Sequence, residues 1–108
     1  MSSPAETHLL SELDWVSTRA DQMISRINQR LSERASMPPE FSMLTFLASK
    51  GAIRDRLEEA QAAGARLREL STSEHEEQRS RDVLAVQKAT LAIELQVTRL
   101  AGLLEALL

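Results

Sequence analysis

The chain has no cysteine and no tyrosine, and its 108 residues include three glycines, three prolines and 3% aromatic side chains. Without cysteine there is neither a disulfide framework nor a thiolate metal site. Strand-forming residues never alternate over a useful length, so β architecture is excluded as well. The two histidines, His8 and His75, stand far apart. They fall short of the roughly four ligands a closed metal site needs, and no Glu-x-x-His di-iron pair accompanies them. No glycine loop suits a phosphate, and no serine sits in a nucleophile elbow. The expectation is a protein that is not an enzyme and carries no metal or cofactor.

Charge and hydropathy exclude further classes. A net charge of −3 argues against a generic nucleic-acid binder. Arg19, Arg26, Arg30, Arg34, Lys50, Arg54 and Arg56 give a mild basic bias around the first turn, diluted by Asp21, Glu33 and Asp55 and lacking an aromatic platform. An acidic protein partner or plain solvation fits that bias better. No uncharged run approaches the ~18 residues of a membrane span. The N-terminus lacks a basic segment followed by an apolar run, which predicts no secretory signal and a cytoplasmic site of synthesis.

What is abundant is Ala, Leu, Glu, Arg and Ser at helical spacing. The pattern predicts an all-α single domain of three long helices, over about 4–35, 39–70 and 74–107. Nearly equal lengths and short turns suit an up-down-up antiparallel bundle, or a helical hairpin with its third helix exchanged into another subunit. Ser3-Pro4-Ala5-Glu6 is a compact helix start, with a capping serine, a proline in the first turn and the S-x-x-E box. The seam that follows is Leu9, Leu13, Val16, Ala20, Met23 and Ile27, flanked by Leu10, Ile24 and Leu31; its alternating steps of four and three are those of a coiled coil. Trp15 lies about 200° round the helix from Leu13. It reads as an anchor for a partner, as a half-exposed ring laid under Arg19, or as a ring simply packed on a neighbouring helix.

Met37-Pro38-Pro39-Glu40 ends the first helix, and the second is expected to start at Pro39. Its opening, with Phe41, Met43, Leu44, Phe46 and Leu47, has no charge and is apolar on every face. Such a segment is either the covered end of a bundle or a patch for self-association or a partner. Beyond Gly51 the seam narrows to Ile53, Leu57, Ala60, Gly64, Leu67 and Leu70, whose small members permit close helix approach. Gly51 could equally mark a bend. Ser73-Glu74-His75-Glu76 is a second S-x-x-E cap, followed by charged turns that read as solvated through Asp82.

The stretch 83–108 is the most apolar of the chain, its charges being only Lys88, Glu94, Arg99 and Glu105. One stripe holds Val83, Val86, Thr90, Ile93, Val97, Leu100, Leu104 and Leu107. A second holds Leu84, Leu91, Leu95 and Leu103. Together they exceed the single stripe of a surface helix, so this helix needs partners on more than one side. The second stripe joins Trp15 and the start of helix two as the candidate protein-binding residues.

Within this helix, Gln87-Lys88-Ala89-Thr90-Leu91-Ala92-Ile93-Glu94-Leu95, with Leu103-Leu104-Glu105-Ala106 at gapless spacing, resembles the C-terminal helix of the flagellar rod adaptor family FliE. The inner-rod proteins of type III secretion injectisomes share that helical layout. Asp82-Val83, and more loosely Phe41 and Leu44, are similar too. The resemblance covers about 25 residues and departs at Leu100-Ala101-Gly102, where the flagellar family has Arg-Asn-Lys. It implies a non-enzymatic subunit exported by a type III route, whose terminal helix packs against its own copies and the export gate. The proline-broken hairpin is also similar to the small needle-subunit chaperones of the same systems, which implies an adaptor holding a helical client.

Overall fold

A computed structural model describes residues 3–69 and 76–108. Three α-helices account for nearly all of them: α1 (Pro4–Ser32), α2 (Met43–Glu69) and α3 (Glu76–Leu107). The start of α1 follows its sequence. The Ser3 hydroxyl accepts from the Glu6 backbone N–H at 3.1 Å, and the Ser3 N–H donates to the Glu6 carboxylate at 2.8 Å. Two otherwise unsatisfied donors are thereby paired reciprocally. The helix ends at Ser32, earlier than Ala35. There the Ser32 hydroxyl bonds the Gln29 carbonyl at 2.7 Å and the last turn tightens into i→i+3 bonding through Glu33 and Arg34.

The second helix starts at Met43, not Pro39. Pro38 and Pro39 sit in a turn closed by the Phe41 N–H on the Pro38 carbonyl at 3.1 Å. Ser42 is the cap: its hydroxyl accepts from the Thr45 N–H at 3.1 Å and its carbonyl from Phe46 at 3.0 Å. Phe41 precedes that cap and packs its ring on Phe46 one turn into the helix, centroids 5.9 Å apart. This is a hydrophobic staple, which fixes the angle at which the chain enters α2. The Ser73 cap expected for α3 lies outside the described residues.

Contacts at the two ends give the topology. Glu6 of α1 pairs with Arg79 of α3, and Arg34 just beyond α1 donates to the Leu107 carbonyl at the end of α3. The two helices therefore run parallel. Arg66 near the end of α2 meets Asp82 near the start of α3, so α2 runs antiparallel to both. The result is an up-down-up bundle, a rod of 58 × 20 × 16 Å, with α3 packed on its own chain. α3 is the spine, lying closely along both other helices, while α1 and α2 touch each other far less.

The core runs the length of α3: Val86, Ala89, Ile93, Val97, Leu100, Leu104 and Leu107 against Leu9, Leu13, Val16, Ala20 and Ile27 of α1 and Phe46, Ile53, Ala60, Ala63 and Leu67 of α2. α1 and α2 come close at Gly64, where an added Cβ would lie 3.0 Å from Leu10 Cδ2. Above it the two helices part. Gly51, with open space around it, lies inside an α2 that runs without interruption.

Candidate protein-binding surfaces

At the base of the bundle, polar side chains penetrate the core. Arg79 is 5% exposed and Asp82 2%. Arg79 donates to the Leu67 carbonyl of α2 at 3.0 Å and to the Glu6 carboxylate of α1, joining all three helices. Asp82 accepts from Arg66 at 2.8 Å and from Gln78 at 3.0 Å. The Arg66 guanidinium, then Gln78, hold the Asp82 carboxyl below the usual carboxylate range, against the opposing effect of burial. The Ser3 backbone N–H, with Arg79, does the same for Glu6. The turns through Asp82 are therefore not simply solvated. Their polar groups are buried because they sit on the inward face, where they continue the seam Val86, Thr90, Ile93 by steps of three and four. That spacing was the available signal. The cluster is saturated with its own partners and is a structural clasp.

The candidate binding residues separate into two groups. Phe41 (5% exposed), Phe46 (2%) and Leu103 (8%) belong to the core. Phe41 and Phe46 are consumed by the staple, and Leu103 lies far enough round α3 to reach the packed side. These three are not surface residues of the single chain. Trp15, Leu44, Leu47, Leu84, Leu91 and Leu95 are exposed, and Met43 is half-buried against the core.

Leu84 (48% exposed), Leu91 (66%) and Leu95 (54%) form a line on the back of α3, about 160° round from the packed seam. Their neighbour on the α1 side is a shallow groove of about 340 Å³ lined by Leu9, Glu12, Leu84, Leu91 and Glu94. Trp15 follows Glu12 on that side of α1, 61% exposed, with the Arg19 guanidinium 4.8 Å from its ring centre. The ring is thus an exposed one laid under Arg19 and is not packed on a neighbouring helix. A second recess, about 630 Å³, opens where α1 and α2 part. It is lined by Ile24, Leu47, Ile53 and Leu57, with Asp21, Lys50, Arg54 and Glu58 around it.

Chemistry-bearing residues are dispersed. His8 pairs with exposed Glu12 at 3.0 Å, and His75 is outside the described residues. Among the described residues no three His, Cys, Asp or Glu side chains converge on a possible metal position. Of the arginines near the first turn, Arg34 donates to the Leu107 carbonyl and Arg54 pairs with Asp55. No described helix is long and apolar enough to cross a membrane. Comparison with protein-family models, with curated proteins and with solved structures found no match to this chain.

Proposed function

We propose that this chain is a non-enzymatic assembly protein that binds other protein helices through the back of α3. The observation that carries the reading is the line of Leu84, Leu91 and Leu95, each about half exposed or more, opposite a face of the same helix that is fully packed. Aliphatic side chains aligned at helical spacing on a rigid rod are what a helix-on-helix contact uses. The segment resembling the flagellar rod adaptor family, Gln87 to Leu95, carries two of these three leucines. This supports a rod-type subunit of a type III secretion or flagellar apparatus, packing α3 against neighbouring subunits. Export by a type III route belongs to that version of the reading alone.

A small chaperone or adaptor is the second reading. The recess between α1 and α2 favours it, since its mixed lining of Ile24, Leu47, Ile53 and Leu57 with Asp21, Lys50, Arg54 and Glu58 suits an amphipathic helical client.

Light scattering of the purified chain over a wide concentration range, alone and with candidate partners, separates the two. Self-association, whether to a dimer or to larger assemblies, indicates a rod-type subunit, and a defined complex with one client indicates a chaperone. Leu91→Asp tests the face itself. It is expected to lose association while keeping the helical signal of the parent and, at a concentration low enough for both to be monomeric, its melting temperature. A chain that stays monomeric and binds no partner would sink both readings.

A further inference from the structure

The back of α3 has a second property, in the charges beside its leucines. Read as a heptad seam, the line runs Leu84 (d), Lys88 (a), Leu91 (d), Leu95 (a), Thr98 (d) and Gly102 (a), about 27 Å long at 1.5 Å per residue. The g positions on one flank are then Gln87, Glu94 and Ala101. The e positions on the other are Ala85, Ala92, Arg99 and Ala106. Glu94 and Arg99 are both exposed, and neither is in an ion pair among the described residues.

Resting on the assembly reading above, we infer that the occupant of this face is a second copy of the chain, its α3 running parallel to the first about a two-fold axis. In a parallel pair each g residue faces the e residue five places on in the other helix. Glu94 of each copy then faces Arg99 of the other, giving two opposite-charge pairs per dimer. An antiparallel pair sets g against g and e against e. Glu94 would meet Glu94, Gln87 or Ala101, and Arg99 would meet Arg99 or an alanine, so no register offers an opposite pair. The same surface thus selects one orientation by attraction and rejects the other by repulsion. Glu12 of α1, beside Glu94 in the shallow groove, adds a second carboxylate to the acidic flank. Lys88 at an a position faces its own copy, which weakens the pair while disfavouring shifted registers and higher oligomers.

Sedimentation equilibrium of the full chain at low salt, across micromolar to millimolar concentration, tests the arrangement. The parent is expected to dimerise. Glu94→Arg and Arg99→Glu alone should each weaken the dimer about tenfold, two pairs turning from attraction to repulsion. An equimolar mixture of these variants, and the doubly substituted chain, should regain the parent affinity. Lys88→Leu should tighten the dimer at least tenfold, the like charge being replaced by a buried aliphatic contact. Circular dichroism checks that each variant stays folded. Single reversals without effect, or without rescue in the mixture, overturn the parallel pairing. If Leu91→Asp still abolishes association in that case, the assembly reading survives and only the orientation or the occupant is wrong. A parent that is monomeric throughout but binds another protein through Leu91 also overturns the second copy alone; a monomer that binds nothing overturns both.

Discussion

Front and back of α3 are made of similar aliphatic residues and have opposite environments. The front presents Val86, Ile93, Val97, Leu100, Leu104 and Leu107, each 5% exposed or less. The back presents Leu84, Leu91 and Leu95, each about half exposed or more. Two neighbouring helices can cover only part of a third helix's circumference, and α1 and α2 both lie toward the front. What separates the faces is therefore the number of partners within one chain, not hydrophobicity. A front residue contributes to the fold of the monomer, whereas a back residue has nothing to contribute to until another chain arrives.

That difference predicts the largest contrast. Ile93→Ala removes a fully buried side chain between α1 and α2 and should cost about 2–5 kcal/mol, the transfer loss plus the cavity. Leu91→Ala, two residues earlier, should change the stability of the monomer by less than about 0.5 kcal/mol. Urea unfolding at a concentration low enough to keep the chain monomeric measures both. Equal costs at the two positions would erase the distinction on which the binding face rests.

Much of the front was legible from sequence, because a single period of three and four residues links Val86 to Leu107 and finds matching seams in α1 and α2. Periodicity could not say which of two apolar stripes on α3 would be covered, since both obey the helical repeat. The choice depends on how α1 and α2 meet, and they converge at Gly64 and part above it. The misplaced start of α2 has a local cause. Pro39 suits a first helical position, but Ser42 is the better cap, and Phe41 and Phe46 bracket it at the staple spacing. Phe41 and Phe46 hold this helix entrance as the covered end of a bundle would have them, while Leu44 and Leu47 of the same segment stay exposed. Leu103 was grouped with the exposed leucines on the same flank, though its position nearer the seam buries it. Arg79 and Asp82 were obscured by their charge, since a seam is usually sought among apolar residues alone.

Those two residues extend the comparison along the front, from an apolar length to a polar base. Glu6 and Asp82 both have carboxyls held below their ordinary range. A depressed carboxyl stabilises the fold fully when the pH is above its unfolded value of about 4, and the contribution fades as pH falls through the folded value. Stability should thus be level with respect to these groups from neutral pH to about pH 5, then decline below about pH 4. Asp82→Asn should lower stability at neutral pH and flatten the acid slope, leaving the share due to Glu6. Thermal melts between pH 2 and 7 read this directly. An acid slope unchanged by Asp82→Asn would mean that the clasp is not what titrates.

The finest contrast concerns two glycines, one facing inward and one on the back of α3. Each weakens its helix by about 1 kcal/mol relative to alanine. At Gly102 a Cβ would meet nothing within 4 Å. Gly102→Ala should therefore stabilise the monomer by about 0.5–1 kcal/mol, slightly less than the full propensity difference because the helix ends at Leu107. At Gly64 the same methyl lands 3.0 Å from Leu10 Cδ2, where α1 comes close to α2. Leu10 is 6% exposed and has little room to withdraw, so Gly64→Ala should fall well short of the gain at Gly102 and can turn into a loss. Denaturant midpoints of the two variants, compared with the parent at low concentration, order them. If Gly64→Ala proved the more stabilising, Leu10 would be free to move, and α1 and α2 would be held together more loosely at the base than their contact indicates.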